Sequence, residues 1–255
     1  MKFLAIPLLA AALIAADPNY ARDVEQYRAH REAELKQDDG WLTVVGLIRL
    51  KEGDNDIPQI GKVTFSEGHA SYNGRSLKPN TDIVTVGAIK FFVIKRGEEY
   101  FVRVKDNNAE TRRNFTGLKW FPVDPSWKLT AKFTPYAEPK TILFDSQNGV
   151  KQPMKSPGFV SFTRDGVEYR LDPVTEGSQL FFIFRDATSN KSTYGAARFL
   201  YAAPAKDGTV ILDFNKAINP PCAFTAYATC PLPPPQNRLK LAVTAGEKKY
   251  SDAIE

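Results

Sequence analysis

Three dipeptides, Asn73-Gly74, Asp165-Gly166 and Asp207-Gly208, each separate short runs rich in β-branched and aromatic residues. A two-residue hairpin turn of type I′ needs positive φ at both central positions, and Asn-Gly and Asp-Gly are the pairs that tolerate it. "SYNGRSL", "FVSFTRDGVEYRL" and "YAAPAKDGTVILDF" therefore read as antiparallel hairpins. "AIKFFVIKRGEEYFVRVKD" reads as another, turning near Arg96 to Glu98. "LKLAVTAGEKKY" reads as a final strand followed by a short polar tail. With so many short strands the chain is expected to be mainly β, an antiparallel β-sandwich or barrel-like set of sheets.

Helical spacing occurs near the start. Tyr20, Val24, Tyr27, Arg31 and Leu35 recur every three or four residues, which predicts one helix over 17–40. Asp17 suits its N-cap, Pro18 its first turn and Gly40 its end. The β domain is then 41–255, whether one unit or two lobes, 41–136 and 137–255. Ahead of the helix, Lys2 precedes an uncharged run from Phe3 to Ala16, too short to span a bilayer and of the length of a signal-peptide core. Residues 1–16 are expected to be a signal peptide, and the mature chain to be periplasmic or extracellular with no transmembrane segment. Removing Lys2 lowers the formal net charge from +5 to +4, and no basic run exceeds a pair such as Arg112-Arg113 or Lys248-Lys249. Nucleic acid is not an expected partner. The excess of positive charge favours anions.

The chemistry that is missing narrows the function. Only His30 and His69 are present, there is no Gly-x-Ser-x-Gly elbow, and neither a phosphate-cradling loop nor a dinucleotide fingerprint follows a strand. No metal and no cofactor is expected. Polar residues concentrate in three places instead. "FRDATSNKSTYGAARFL" sets Asp186, Tyr194 and Arg198 around a turn, where an Asp186–Arg198 pair would offset the cost of burying either charge. "LDFNKAINPPCAFTAYATCPLPPPQNRL" carries Asp213, Asn215, Asn219, Asn237, both cysteines and two proline runs. "TAGEKKY" carries Glu247. In an oxidising compartment, Cys222 and Cys230, with seven residues between them, are expected to form a disulfide that rigidifies this loop. A stiff loop is either a structural lock or the wall of a preorganised site.

"GWLTVVGLIRLKEGDNDI", "FRDATSNKSTYGAARFL" and "LDFNKAINPPCAFTAYATCPLPPPQNRLKLAVTAGEKKY" together resemble the domain-of-unknown-function 1684 family, from about Gly40 to Tyr250. The resemblance implies a bacterial or archaeal protein, often exported or lipid-anchored, with no assigned reaction. Its pattern is matched at Asp186, Thr188, Thr193, Tyr194, Arg198, Asp213, Asn215, Asn219, Cys222, Cys230, Asn237 and Glu247. Where members often carry a longer turn with glycine and serine, this chain has "GDNDIPQIGKV".

The leading expectation is a small polar or anionic ligand bound in a cleft beside the Cys222–Cys230 loop. Arg112, Arg113 and Arg198 would neutralise it, and Tyr194, Asn215, Asn219 and Asn237 would orient it. The rival is a metal-free hydrolase or lyase using Asp186, Asp213 or Glu247 as acid and base. A third reading is an envelope interaction protein whose motif is purely structural. Composition and spacing decide neither between enzyme and binder nor the oligomeric state.

Overall fold

A computed structural model of the chain describes residues 18–146, 149 and 151–250. The proposed leader and the Asp17 cap lie outside these residues. Helix α1, Pro18–Lys36, forms where the three- and four-residue spacing placed it. Its stripe is not a plain hydrophobic one: Val24 and Leu35 are buried, while Tyr20, Tyr27 and Arg31 end in hydrogen bonds to residues 213–247. Long amphipathic side chains bury their bodies and keep a polar tip paired. Arg28, one residue off the expected stripe, is also buried and donates to the Phe121 carbonyl. Gly40 serves close approach rather than a left-handed cap: its φ is −68°, and an added Cβ would lie 2.3 Å from the Leu35 carbonyl oxygen.

The next segment builds two facing four-stranded sheets. β1 (Val44–Arg49), β6 (Ile83–Val86), β7 (Ile89–Arg96) and β8 (Glu99–Asp106) form one, in the order β1-β8-β7-β6. β2 (Gly53–Ile57), β3 (Gly61–Ser66), β4 (His69–Tyr72) and β5 (Arg75–Leu77) form the other in sequential order. Val63, Phe65, Phe91, Val93, Val102 and Val104 fill the core between them. Asn73-Gly74 turns β4 into β5 with φ of 51° and 76°. Glu67-Gly68 does the same between β3 and β4, with φ of 49° and 80°, although glutamate gives no turn signal in the sequence.

After a single helical turn, α2 (Glu110–Arg113), come the long strands β9 (Lys128–Phe144) and β10 (Gln152–Arg164) and the short strands β11 (Val167–Leu171), β12 (Val174–Glu176), β13 (Gln179–Phe184), β14 (Arg198–Ala202) and β15 (Thr209–Asp213). They form a four-stranded sheet, β11-β10-β9-β15, and a three-stranded one, β12-β13-β14. Phe162, Phe182, Phe184, Leu200, Leu212 and Phe214 pack between the two. On the other face of β13 and β14, Phe181, Ile183 and Phe199 pack with Phe144 and Cys230. Every ladder between these strands is antiparallel, so the expected mainly β, antiparallel architecture with one N-terminal helix is the one observed. β9 runs unbroken through Tyr136 and Ala137. No helix among the described residues is long and apolar enough to cross a membrane.

The final strand expected over "LKLAVTAGEKKY" does not form. Arg198 takes the Val243 and Ala245 carbonyls, Leu241 accepts from the Ala187 amide, and Gly246 turns the chain with φ of 81°. Side chains and loop amides satisfy this backbone in place of a sheet ladder.

Candidate functional site

The polar motif residues resolve into separate, closed networks. Asp186 accepts hydrogen bonds from the Thr188 amide at 2.7 Å, from the Thr188 hydroxyl, and from Arg198 Nη1 at 2.8 Å. The Thr193 hydroxyl donates to that of Thr188 at 2.7 Å. The Arg198 and Asp186 side chains are 1% and 0% exposed. Burial pulls the Arg198 guanidinium below its ordinary value, and Asp186 opposes that shift. Arg198 therefore ties β14, the loop after β13 and the C-terminal segment into one unit; it is sealed from any ligand.

The asparagines do similar work. Asn237 accepts from the Asp172 amide at 2.7 Å and donates to the carbonyls of Asp172 and Ile183, each at 2.9 Å. Asn215 donates to the Tyr20 hydroxyl and to the Asp124 carbonyl, while Tyr20 donates to Asp213 at 2.7 Å. Burial, then the bond to Asp213, raises the Tyr20 phenol above its usual range. Asn219 donates its amide to Glu247 at 2.7 Å and its side chain to the Lys248 carbonyl at 2.8 Å. Glu247 also accepts from Arg31 at 3.1 Å. Burial raises its carboxyl, with Arg31 acting in the opposite direction. Such bonds supply the buried backbone groups that a non-repetitive loop cannot pair by itself.

The remaining expected residues are scattered. Arg112 is spent on the Lys36 and Asn107 carbonyls and on Asp38. Arg113 is exposed and lines a separate hollow with Asp106 and Glu110. Tyr194 donates to the Cys222 carbonyl at 3.1 Å. The disulfide expected from the spacing is not formed here: Cys222 and Cys230 are free thiols, with the Cys222 amide donating to Cys230 Sγ at 3.1 Å. Hydrogen bonding from Cys230 lowers the Cys222 thiol and, reciprocally, raises that of Cys230.

A cleft does lie beside the cysteine loop. It has a volume of about 550 Å³, and Pro221, Thr229, Cys230 and Pro231 form one wall. The β7–β8 hairpin contributes Lys95, Arg96 and Arg103 to the lining, with Lys151 at the base of β10. Arg31 and Asn219 reach it from the network around Glu247. β8 is buried on both faces: Val102 and Val104 fill the first core, so Phe101 and Arg103 must face the rest of the molecule. Arg103 is 7% exposed, and its guanidinium lies 5.0 Å from the Trp41 ring. Its Nε has no hydrogen-bond partner. Among the described residues no carboxylate pairs with Arg103, Arg96 or Lys151, whereas Arg31 has Glu247 at 3.1 Å and Lys95 has Glu98 at 3.9 Å. Burial first, and repulsion from Arg96 second, pull Arg103 down to about 10. Asp186, Asp213 and Glu247 do not line the cleft. The sequence signal for Arg103 was available: it is the one charge inside the apolar run "YFVRV".

The fold and the cleft thus define a mainly β, antiparallel protein with a hydrogen-bonded C-terminal lock and a cationic pocket at its edge. The chain belongs to the family described as "Protein of unknown function (DUF1684)", whose model matches residues 113–248. The match spans the lock, Lys151 and the cysteine loop; Arg31, Lys95, Arg96 and Arg103 precede it. An uncharacterized protein from Haloarcula marismortui, solved by solution NMR, is 32% identical, with 55% of this chain and 80% of that one covered and a TM-score of 0.47. Comparison with curated proteins gave no match.

Proposed function

We propose that this chain is an exported protein that binds a small anionic ligand in the cleft beside the Cys222–Cys230 loop. The observation that carries the reading is Arg103: a buried guanidinium on the cleft wall with no carboxylate partner among the described residues. A cation held away from water is unfavourable until a counter-charge reaches it, and a guanidinium fork suits phosphate and carboxylate groups. Arg96 and Lys151 add positive charge to the same wall. Export rests on the uncharged run from Phe3 to Ala16 after Lys2. Under this reading Asp186, Asp213 and Glu247 are structural, since each is held by buried hydrogen bonds and none lines the cleft.

The test is thermal unfolding of the wild type and of Arg103→Met, which keeps an apolar stem but removes the charge, in the presence of phosphate, sulfate and small carboxylates. An anion at a hundred times its Kd stabilises by about 2.7 kcal/mol, a rise in Tm of roughly 5–10 °C for a chain of this size. The wild type is expected to show such a rise with at least one anion, and the variant to lose it. Identical responses of the two proteins would overturn the proposal.

A further inference from the structure

The cleft has an apolar lining that an inorganic anion would leave unused. Met154 from β10, Phe181 from β13, Phe199 and Tyr201 from β14, and Ile218 line it as well as the cations. Phe181 and Tyr201 stack with centroids 4.7 Å apart and planes 9° from parallel, and Phe199 meets Phe181 edge-on at 4.8 Å. Tyr201, 36% exposed, is the open member of this aromatic ledge, with Phe181 and Phe199 buried against it. Trp41 lies under Arg103, so even the cationic side offers a flat apolar surface. Glu176 is the one carboxylate on the lining. Burial pushes the Tyr201 phenol above its usual range, and the negative charge of the nearby Glu176 adds to that shift.

Unpaired cations and an aromatic ledge lining one cleft of about 550 Å³ are the anatomy of a site for an organic molecule rather than a bare ion. Building on the anion-binding reading, we infer that the ligand is an amphiphilic organic anion, a phosphate or carboxylate attached to an aromatic ring or short chain. The head group pairs with Arg103, Arg96 and Lys151, and the apolar body lies on the Phe181–Tyr201 ledge. The cations and the ledge act independently in this arrangement. Charge sets whether anything binds, and the ledge sets which anion is preferred. Covering about 60 Å² of apolar ligand surface is worth a factor of about ten in affinity.

The experiment compares inorganic phosphate, phenyl phosphate and benzyl alcohol by calorimetric titration into the wild type, Arg103→Met and Tyr201→Ser. Phenyl phosphate is expected to bind the wild type at least tenfold more tightly than inorganic phosphate. That advantage is expected to shrink in Tyr201→Ser while inorganic phosphate is unaffected, and both anions are expected to weaken in Arg103→Met. Equal affinity of the two phosphates for the wild type would overturn this inference and leave the anion site standing. Benzyl alcohol binding as tightly as phenyl phosphate would overturn both, as would no binding of any probe. The wild-type titrations decide even if a variant fails to fold.

Discussion

Asp186→Asn should be one of the most destabilising isosteric substitutions in this protein. Asparagine keeps the carbonyl oxygen that accepts from the Thr188 amide and hydroxyl, so the local turn is preserved. What changes is the oxygen 2.8 Å from Arg198 Nη1, which becomes an amide NH2 that cannot accept from the guanidinium. The guanidinium, 1% exposed, is left with only the Val243 and Ala245 carbonyls. Removing one partner of a buried pair costs about 3–5 kcal/mol, since the other charge stays desolvated. For a chain of this size that is a fall in Tm of roughly 6–20 °C. Urea unfolding at neutral pH measures it, with an unchanged m-value showing that the unfolding transition is the same. Asp54→Asn supplies the contrast, because the Asp54–Lys62 pair is 51% and 57% exposed and its loss should change the midpoint little. A loss below about 1 kcal/mol for Asp186→Asn, the range of exposed pairs, would refute the claim that the network is dry and that Arg198 welds the C-terminal segment in place.

Two further outcomes follow from the same geometry. Burial raises the Glu247 carboxyl above its ordinary 4.5, so between that value and its folded-state value the folded protein holds more protons than the unfolded one. This group's contribution is therefore fully present below about pH 4.5 and is lost as pH rises through the folded value. Urea midpoints for wild type and Glu247→Gln across pH 4–8 should show that downward slope in the wild type only; parallel profiles would refute it. In an oxidising compartment the neighbouring Cys222 and Cys230 thiols are expected to close into a disulfide, stabilising the loop by about 2 kcal/mol or more. Protein recovered unreduced from an oxidising compartment should resist thiol labelling at both positions, and labelling of both would refute the closure.

The turns were legible because their chemistry is local. Asn73-Gly74, Asp165-Gly166 and Asp207-Gly208 all adopt the positive φ that these residues favour over others. Helix α1 was legible for the same reason, through spacing alone. The Asp186–Arg198 contact could be anticipated because two charges among apolar alternations must meet or pay for their isolation. The irregular path of residues 239–250 could not. Its alternation suits a strand, yet Arg198 is anchored on β14 and claims the carbonyls a strand would need. Arg112 and Arg113 look like an anion clamp as a pair, but one lies against Lys36 and Asp38 and the other beside a different hollow.

By itself, then, the sequence determined the antiparallel β architecture, the helix and the concentration of polar locks near the C-terminus, since propensity, turn geometry and the cost of buried polar groups act over a few residues. Only the tertiary structure decided where a ligand could sit. The cleft joins Arg103 of β8, Lys151 at the base of β10 and the ledge of Phe181 and Tyr201, residues up to 98 positions apart that share no local pattern. A pocket is the space that packed elements leave between them, and no window of sequence contains it.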